Sequence, residues 1–155
     1  MDRSALFHQV YEAYGPALYR FCLLQMKNPA DAEDIMQEVF VKRLYQAPEF
    51  QSPDHERRWL FRVALNQCRD EWKRSRRTEL PLDEAVLISV PPEDRNLLEQ
   101  VAALPEKLRT VIHLHYYEGY SLEEIAVLLG VSLSAVKMRI KRGRDALRIR
   151  LEEWP

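Results

Sequence analysis

The spacing of apolar residues predicts helices along most of the chain, and the clearest pair lies between residues 121 and 150. Ser121 followed three residues later by Glu124 forms a capping box, which marks the start of a helix with an apolar stripe. Gly130 suits the left-handed turn that closes this helix, and Ser132 is a good N-cap for the next one. Two helices joined by so short a turn are typical of a helix-turn-helix.

The second of these helices separates into an apolar side and a basic side when its residues are placed about 100° apart. Its apolar side comprises Val136, Ile140, Gly143, Leu147 and Leu151. The candidates for base contacts in a DNA major groove are Ser134, Lys137, Met138, Lys141 and Arg142. Nearer the edges of the apolar side, where long side chains reach phosphates more easily than bases, lie Arg139, Arg144 and Arg148. A basic helix face alone is usually solvated surface, but the cap, the glycine turn and the apolar side together favour DNA binding.

Another amphipathic helix is predicted from residue 28 to residue 45, with Pro29 and Asp31 as start signals. Its apolar side comprises Ile35, Met36, Val39, Phe40 and Leu44. A separate ridge, called the docking ridge below, is formed at i, i+3, i+4 and i+7 by Asp34, Gln37, Glu38 and Val41. The pattern alone favours an ordinary solvated surface over a docking site for a partner helix.

A third helix is predicted from residue 57 to residue 77, with Phe61, Ala64, Leu65, Cys68 and Trp72 on its apolar side. Trp59 falls among the polar residues Arg62, Asn66, Arg69, Asp70 and Lys73. An aromatic ring surrounded by cations suits unstacked bases, since the ring stacks on any base while the cations hold the backbone. The alternative is that Trp59 packs against the preceding segment, and the two interpretations are about equally well supported by the residues.

The net charge of −1 hides two compact basic segments. Residues 57–77 carry 8 basic and 2 acidic residues, and residues 137–150 carry 7 basic and 1 acidic residue. Acidic segments precede both of them. This alternation predicts two nucleic-acid contacts on a chain that otherwise avoids nonspecific binding.

A proline-rich, acidic stretch at residues 78–95 has no sustained helical pattern and is interpreted as a flexible linker. The predicted fold is therefore all-α, with two small helical domains at residues 1–77 and 96–155, the second containing the helix-turn-helix. Cys22 and Cys68 show no paired spacing, and no apolar stretch is long enough for a signal peptide or a membrane span. These features predict a reduced, cytoplasmic protein with no membrane insertion.

No motif for enzymatic chemistry occurs in the sequence. His113 and His115 lie two residues apart, a spacing that places them on different sides of a helix, so no metal site and no cofactor are expected. Because no long segment lies outside the two predicted domains, a fused regulatory domain is not expected either.

Three motifs in the same order resemble those of bacterial sigma factors of the extracytoplasmic-function type, the minimal members of the primary sigma family. DAEDIMQEVFVKRLY at residues 31–45 is similar to the family's core-polymerase-binding helix, and WLFRVALNQCRDEWKR at residues 59–74 to its minus-ten-reading helix. Residues 104–144, LPEKLRTVIHLHYYEGYSLEEIAVLLGVSLSAVKMRIKRGR, are similar to its minus-thirty-five-reading domain. The resemblance implies a factor that binds RNA polymerase core, directs it to promoter DNA and helps to open the duplex.

Carried onto this sequence, the resemblance implies that the docking ridge contacts the clamp helices of the polymerase's largest subunit. Asn66 and the loop at residues 48–58, with Phe50 and His55, would hold an unpaired minus-ten base, and Trp59 would lie at the edge of the melted region. The second domain would contact the flap of the second-largest subunit, and the family also allows an anti-sigma factor as a partner. Glu38→Lys is then expected to weaken core binding without affecting the fold.

The chain departs from the family at three positions. Leu65 replaces a common arginine, which predicts the loss of one phosphate contact, and Gly143 replaces the usual alanine. Met138 replaces a small polar residue on the base-reading side and favours apolar contact, for example with a thymine methyl group. Two alternatives stay open: a stand-alone helix-turn-helix regulator, which leaves the first domain unexplained, and a sigma-like polymerase-interaction protein without initiation activity.

Overall fold

The computed structural model describes residues 2–75, 82–88 and 90–147. The chain divides into two compact units, Met1–Leu80 and Pro81–Pro155, called unit 1 and unit 2. Unit 1 contains α1 (Arg3–Met26), α2 (Pro29–Tyr45) and α3 (Pro53–Ser75). Unit 2 contains α4 (Glu84–Ile88), α5 (Pro92–Ala103), α6 (Glu106–Ile112), a π-helical turn (His113–Tyr117), α7 (Leu122–Leu129) and α8 (Leu133–Ala146). No strand occurs in the described ranges, and the predicted all-α class with two helical domains is confirmed.

Unit 1 is a three-helix bundle in which each helix packs against the other two. Phe21 of α1 meets Phe61 of α3 edge to face in its core, with ring centroids 5.4 Å apart. The α1 helix does not stand out in the sequence, because its apolar residues are spread around the helix and Pro16 lies within it. Lys27 ends α1 in the left-handed conformation, with φ of 65°, and Asn28 then caps α2 where the sequence predicts its start.

The third helix begins four residues before the predicted start, at Pro53 instead of Arg57. Ser52 stabilises this start, because its hydroxyl accepts a hydrogen bond from the His55 amide at 3.0 Å and its carbonyl accepts one from the Glu56 amide at 3.1 Å. Half of the predicted loop at residues 48–58 is thus the first turns of α3. The true connection between α2 and α3 comprises residues 46–52 and is called the α2–α3 loop below.

The interpretation of residues 78–95 as a segment without helix is wrong for its described part. This part contains α4 and the first turn of α5. Asp83 begins α4 by accepting a hydrogen bond from the Ala85 amide at 2.8 Å, and Pro92 occupies the first turn of α5. Proline is favourable at that position because its missing N–H is one of the unpaired groups of a helix start, so the prolines mark a helix start as much as a break.

In unit 2 the predicted caps of the helix-turn-helix are confirmed. The Glu124 amide donates to the Ser121 hydroxyl at 3.1 Å, and the Glu124 carboxylate accepts from the Ser121 amide at 3.1 Å. Gly130 closes α7 with φ of 67°, and the Ser132 hydroxyl caps α8 through the Ala135 amide. The helix ends at Ala146, before the predicted end, and Arg148 and Leu151 lie outside the described residues.

A group of polar side chains is buried behind the helix-turn-helix. Arg109 is 0% exposed and donates to the Leu104 carbonyl at 2.9 Å. In and after the π-helical turn, His113 Nε2 lies 2.8 Å from Glu118 Oε2, and the His113 ring stacks on Tyr117. His115 Nδ1 instead contacts the Tyr120 carbonyl at 2.7 Å, so His113 and His115 each have a partner inside unit 2.

Candidate functional site

The basic side of α8 is on the surface of unit 2. The exposed members of the predicted DNA-contact set are Ser134, Lys137, Met138, Lys141, Arg142 and Arg144, and Arg139 is half-buried. Met138 is 50% exposed, although it is a large apolar residue. Val136, Ile140 and Gly143 are buried on the other side and anchor the helix in unit 2. The helix can therefore present its N-terminal half to a groove without unfolding.

The polar side of α3 forms a second basic surface, on unit 1. Arg62, Asn66 and Lys73 are exposed, and Arg69 is half-buried. Leu65 lies in the core at 2% exposure, so the side chain at this position faces the interior. The expectation that Leu65 marks a lost phosphate contact is therefore wrong for this chain, since an interior position does not reach the DNA backbone.

Trp59 is half-buried and packs edge to face against Phe50 of the α2–α3 loop, with ring centroids 5.6 Å apart. Phe50 also meets His55 at 5.3 Å. The interpretation that Trp59 packs against the preceding segment thus describes the structure, although part of the ring stays accessible. The three predicted single-strand contacts in this region form one aromatic cluster.

Two charged residues that sequence reasoning missed complete this cluster. Arg43, in the last turn of α2, pairs with Glu56, in the first turn of α3, at 2.6 Å, and its guanidinium lies 4.9 Å from the centre of the Phe50 ring. The two residues are 13 positions apart and belong to different helices. No local sequence pattern indicates such a contact.

The docking ridge is exposed along α2, where Asp34, Gln37, Glu38 and Val41 all lie on the surface. Glu38 also has a partner within unit 1. In the amide orientation that satisfies both neighbours, the buried Gln67 of α3 donates to Glu38 Oε2 at 2.7 Å and accepts from the Lys42 ammonium. Because Glu38→Lys removes an acceptor of a buried amide, the structure favours a loss of stability in this variant over the expected unchanged fold.

An apolar groove of about 690 Å³ runs beside the docking ridge, between α1 and α2. Its walls include Phe7, Tyr11 and Phe40, whose rings contact one another, and it shares Gln37 and Val41 with the ridge. Tyr11 and Val41 are both more than half exposed. A polar ridge next to an accessible apolar groove is a combination that suits a protein partner.

No helix among the described residues is long and apolar enough to cross a membrane. Within those ranges, no group of three or more histidine, cysteine, aspartate or glutamate side chains is arranged to hold a metal ion.

Two helical units, each with a basic surface and one of them containing a helix-turn-helix, are the features of a DNA-binding class of protein. Residues 10–78 match the family model described as Sigma-70 region 2, and residues 94–147 match Sigma-70, region 4. Each match falls entirely within one structural unit. The chain belongs to the ECF RNA polymerase sigma factors, as the relatives below show.

Characterised relatives resemble the chain over nearly its whole length. It is 31% identical to the ECF RNA polymerase sigma factor SigW of Bacillus subtilis, over 98% of this chain and 91% of the relative. It is 32% identical to the ECF RNA polymerase sigma factor SigL of Mycobacterium tuberculosis, over 97% of this chain and 91% of the relative.

Two solved structures share its fold. CnrH, in complex with the cytosolic domain of CnrY, is 28% identical with a TM-score of 0.72 and covers 98% of this chain and 91% of its own. RpoE, in complex with the anti-sigma factor NepR from Bartonella quintana, is 21% identical with a TM-score of 0.68, and the match covers 90% of this chain and 92% of RpoE. At this identity the similarity is one of fold alone.

Membership of this family establishes the function. The chain is a sigma factor that binds RNA polymerase core and promoter DNA and directs promoter-specific transcription initiation. A stand-alone helix-turn-helix regulator does not account for the region 2 match over unit 1.

Proposed function

We propose that unit 1 docks on the polymerase core and opens the minus-ten region, while unit 2 anchors the complex at the minus-thirty-five element. The observation that carries this proposal is the arrangement of unit 1, which exposes an acidic ridge on α2 and a basic, amide-bearing surface beside Trp59 on α3. One small bundle thus offers surfaces for two different partners. The region 2 and region 4 matches support the division of labour.

Core binding is assigned to the docking ridge. Asp34, Gln37 and Val41 are exposed, and the neighbouring apolar groove extends the accessible surface. The proposed contact is with the clamp helices of the polymerase's largest subunit, where an exposed helix face can pack along a partner helix. The flap of the second-largest subunit is the proposed partner of unit 2.

Strand opening is assigned to α3 and the aromatic cluster. Extruding a base from the duplex costs a few kcal/mol, and one aromatic stack returns about 1–3 kcal/mol. Trp59 supplies an accessible ring, Asn66 an amide that can pair with a base edge, and Arg62 and Lys73 supply charges for the backbone. Arg69 lies on the same side of α3 and is assigned to the backbone as well. Together these groups can offset the cost of one or two unpaired bases.

Duplex recognition is assigned to α8. Ser134, Lys137, Met138, Lys141 and Arg142 are proposed as base contacts, and Arg139 and Arg144 as phosphate contacts. Met138 gives this surface an apolar point, which favours the methyl group of a thymine. No nucleotide hydrolysis or other catalysis is part of the proposed role, and the place of action is the cytoplasm, where polymerase works.

An anti-sigma factor is proposed as a regulatory partner. CnrH is seen in complex with the cytosolic domain of CnrY, and RpoE with the anti-sigma factor NepR. In this chain the apolar groove between α1 and α2 is an accessible surface for such a partner. Because the groove shares Gln37 and Val41 with the docking ridge, a protein bound there would compete with polymerase core.

Run-off transcription tests the proposal. Purified core polymerase from the source organism is combined with this chain and fragmented genomic DNA, and transcript starts are mapped with and without the chain. We expect new starts at a shared promoter sequence, with unpaired thymines detected by permanganate near the start. Tight core binding without any new start would favour the alternative of an interaction protein and overturn the proposal.

A further inference from the structure

We propose that Arg43 is a positioning residue for strand opening, because its pairing with Glu56 and its stacking on Phe50 fix the α2–α3 loop beside Trp59. This inference rests on the proposed function of α3 as the helix that holds the unpaired strand. It adds a role for two residues that lie outside the docking ridge and outside the polar side of α3.

The ion pair joins the end of one helix to the start of the next. Arg43 Nε donates to Glu56 Oε2 at 2.7 Å, and Arg43 Nη2 lies 2.6 Å from the same oxygen. The side chains are only 14% and 17% exposed, so water screens the pair less than it would at the open surface. Charge-assisted hydrogen bonds of this length are strong and directional. The pair therefore sets the distance between the two ends of the α2–α3 loop.

The same guanidinium also holds the middle of the loop. It lies 4.9 Å from the centre of the Phe50 ring, and Phe50 in turn contacts Trp59 at 5.6 Å and His55 at 5.3 Å. The His55 ring accepts a hydrogen bond from the Gln51 amide at 3.1 Å, which ties the loop backbone to α3. A chain of contacts thus runs from Arg43 through Phe50 to Trp59.

A cavity of about 520 Å³ lies beside these contacts, so the position of the loop depends on the ion pair and on the contact between Arg43 and Phe50. Its walls include Tyr14, Arg43, Phe50, Gln51 and Glu56. Because Phe50 and Gln51 border this cavity, core side chains do not fill the space on that side of the loop. Loss of the ion pair would let Phe50 move into the cavity and withdraw from Trp59.

Arginine is the residue that can do both tasks. Its planar guanidinium can accept a ring against its face while its N–H groups donate in the plane, whereas a lysine ammonium offers a point charge only. Arg43→Lys is therefore expected to keep part of the ion pair and to lose most of the stack. This separates the two contacts experimentally.

The test uses the full chain in reconstituted holoenzyme on the strongest promoter found by run-off transcription of genomic fragments. We expect Arg43→Ala and Glu56→Gln to lower the permanganate reactivity of unpaired thymines about tenfold, the effect of losing one charge-assisted contact, with core affinity unchanged within about twofold. Arg43→Lys should lie between Arg43→Ala and the wild type. Exchanging the charges, Arg43→Glu with Glu56→Arg, should recover part of the opening.

Arg3→Ala is the matched control. Arg3 lies in the same unit, and its guanidinium covers the ring of Tyr45, the last residue of α2, at 4.3 Å. The variant therefore removes a cation–ring contact at the same end of α2 while the contact between Arg43 and Phe50 is kept. Loss of Arg3 should leave promoter opening unchanged. An equal loss of opening in both alanine variants, or a parallel loss of core binding in Arg43→Ala, overturns the inference.

Normal opening by Arg43→Ala on a promoter that the wild type opens also overturns the inference and leaves the proposed function standing. If the wild type itself binds core and opens no promoter, the proposed function fails instead. The two failures are thus distinguishable by the wild-type lane.

Discussion

Glu38 serves two contacts at once, because it belongs to the docking ridge and also accepts a hydrogen bond from the buried Gln67 amide at 2.7 Å. A lysine at this position would remove the acceptor and place a second ammonium beside Lys42. Loss of core binding in Glu38→Lys would therefore mix an effect on the interface with an effect on the fold. Asp34 lies on the same ridge and is exposed.

We predict that Glu38→Lys and Asp34→Lys both weaken binding to polymerase core, but that only Glu38→Lys lowers the free energy of unfolding, by about 1–3 kcal/mol. Asp34→Lys should change it by less than about 0.5 kcal/mol, as is usual for an exposed site. Chemical denaturation and titration of labelled core measure the two quantities. Glu12→Lys, an exposed change on α1, is the charge-matched control. Normal core binding by Asp34→Lys would remove the docking ridge from the interface.

Tyr117 gives unit 2 a dependence on alkaline pH. Burial, and secondarily the negative charge of Asp94, raise the pKa of its phenol from 10.0 to about 12. Since the unfolded chain ionises this phenol first, the stabilisation is complete below pH 10 and is lost as the pH rises towards 12. We predict that Tyr117→Phe flattens this part of the pH profile, by about 2–3 kcal/mol between pH 9 and pH 12. Denaturation of both proteins at each pH measures the difference, and parallel profiles would contradict it.

Gly143 determines how closely two helices of unit 2 approach. A Cβ atom at this position would lie 2.8 Å from Cγ1 of Ile112, closer than atoms in a packed core come. Gly143 therefore lets α8 lie directly on α6, although glycine costs up to about 1 kcal/mol in a helix interior. The departure from the alanine usual in the family has a packing reason in this chain.

We predict that Gly143→Ala destabilises unit 2, because overpacking of about 1–3 kcal/mol outweighs the gain in helix propensity. Adding Ile112→Val, which removes the Cδ1 atom from the crowded side, should restore part of the loss. Hydrogen exchange of peptides from α6 and α8 measures both effects. An increase in protection in Gly143→Ala alone would show that Ile112 moves aside at no cost.

The helices with local start and stop signals were the ones that the sequence could predict. Ser121, Glu124 and Gly130 act on backbone groups within a few residues, so their pattern is visible in the chain itself. The ion pair between Arg43 and Glu56, in contrast, depends on how α2 and α3 meet. For the same reason α1 escaped prediction, since its apolar residues face two neighbouring helices and leave no single stripe.

At the scale of the whole molecule, the charges are separated by task. The basic surfaces lie on α3 and α8, and the remaining surface, including the docking ridge, is rich in acids, so that the net charge is −1. The field of the acidic surface opposes attraction of the chain to DNA in general. Contact with DNA therefore depends on the small number of basic residues on α3 and α8.

We predict that the chain without polymerase binds a duplex carrying its promoter at least a hundredfold more weakly than it binds core. If the four exposed cations of α8 each neutralise a phosphate, raising the salt from 50 to 200 mM should weaken the residual DNA binding about a hundredfold. Fluorescence anisotropy measures both affinities. DNA binding as tight as core binding would contradict this prediction.

The π-helical turn at His113–Tyr117 has a consequence for how this chain can change over evolutionary time. A π turn carries one residue more than an α turn over the same hydrogen-bonded span. Deleting one residue from it would leave a continuous α-helix and rotate everything that follows by about 100°. Glu118 would swing away from His113, and the helix-turn-helix would enter the unit at another angle. The number of residues in this segment is thus coupled to the orientation of the helix-turn-helix.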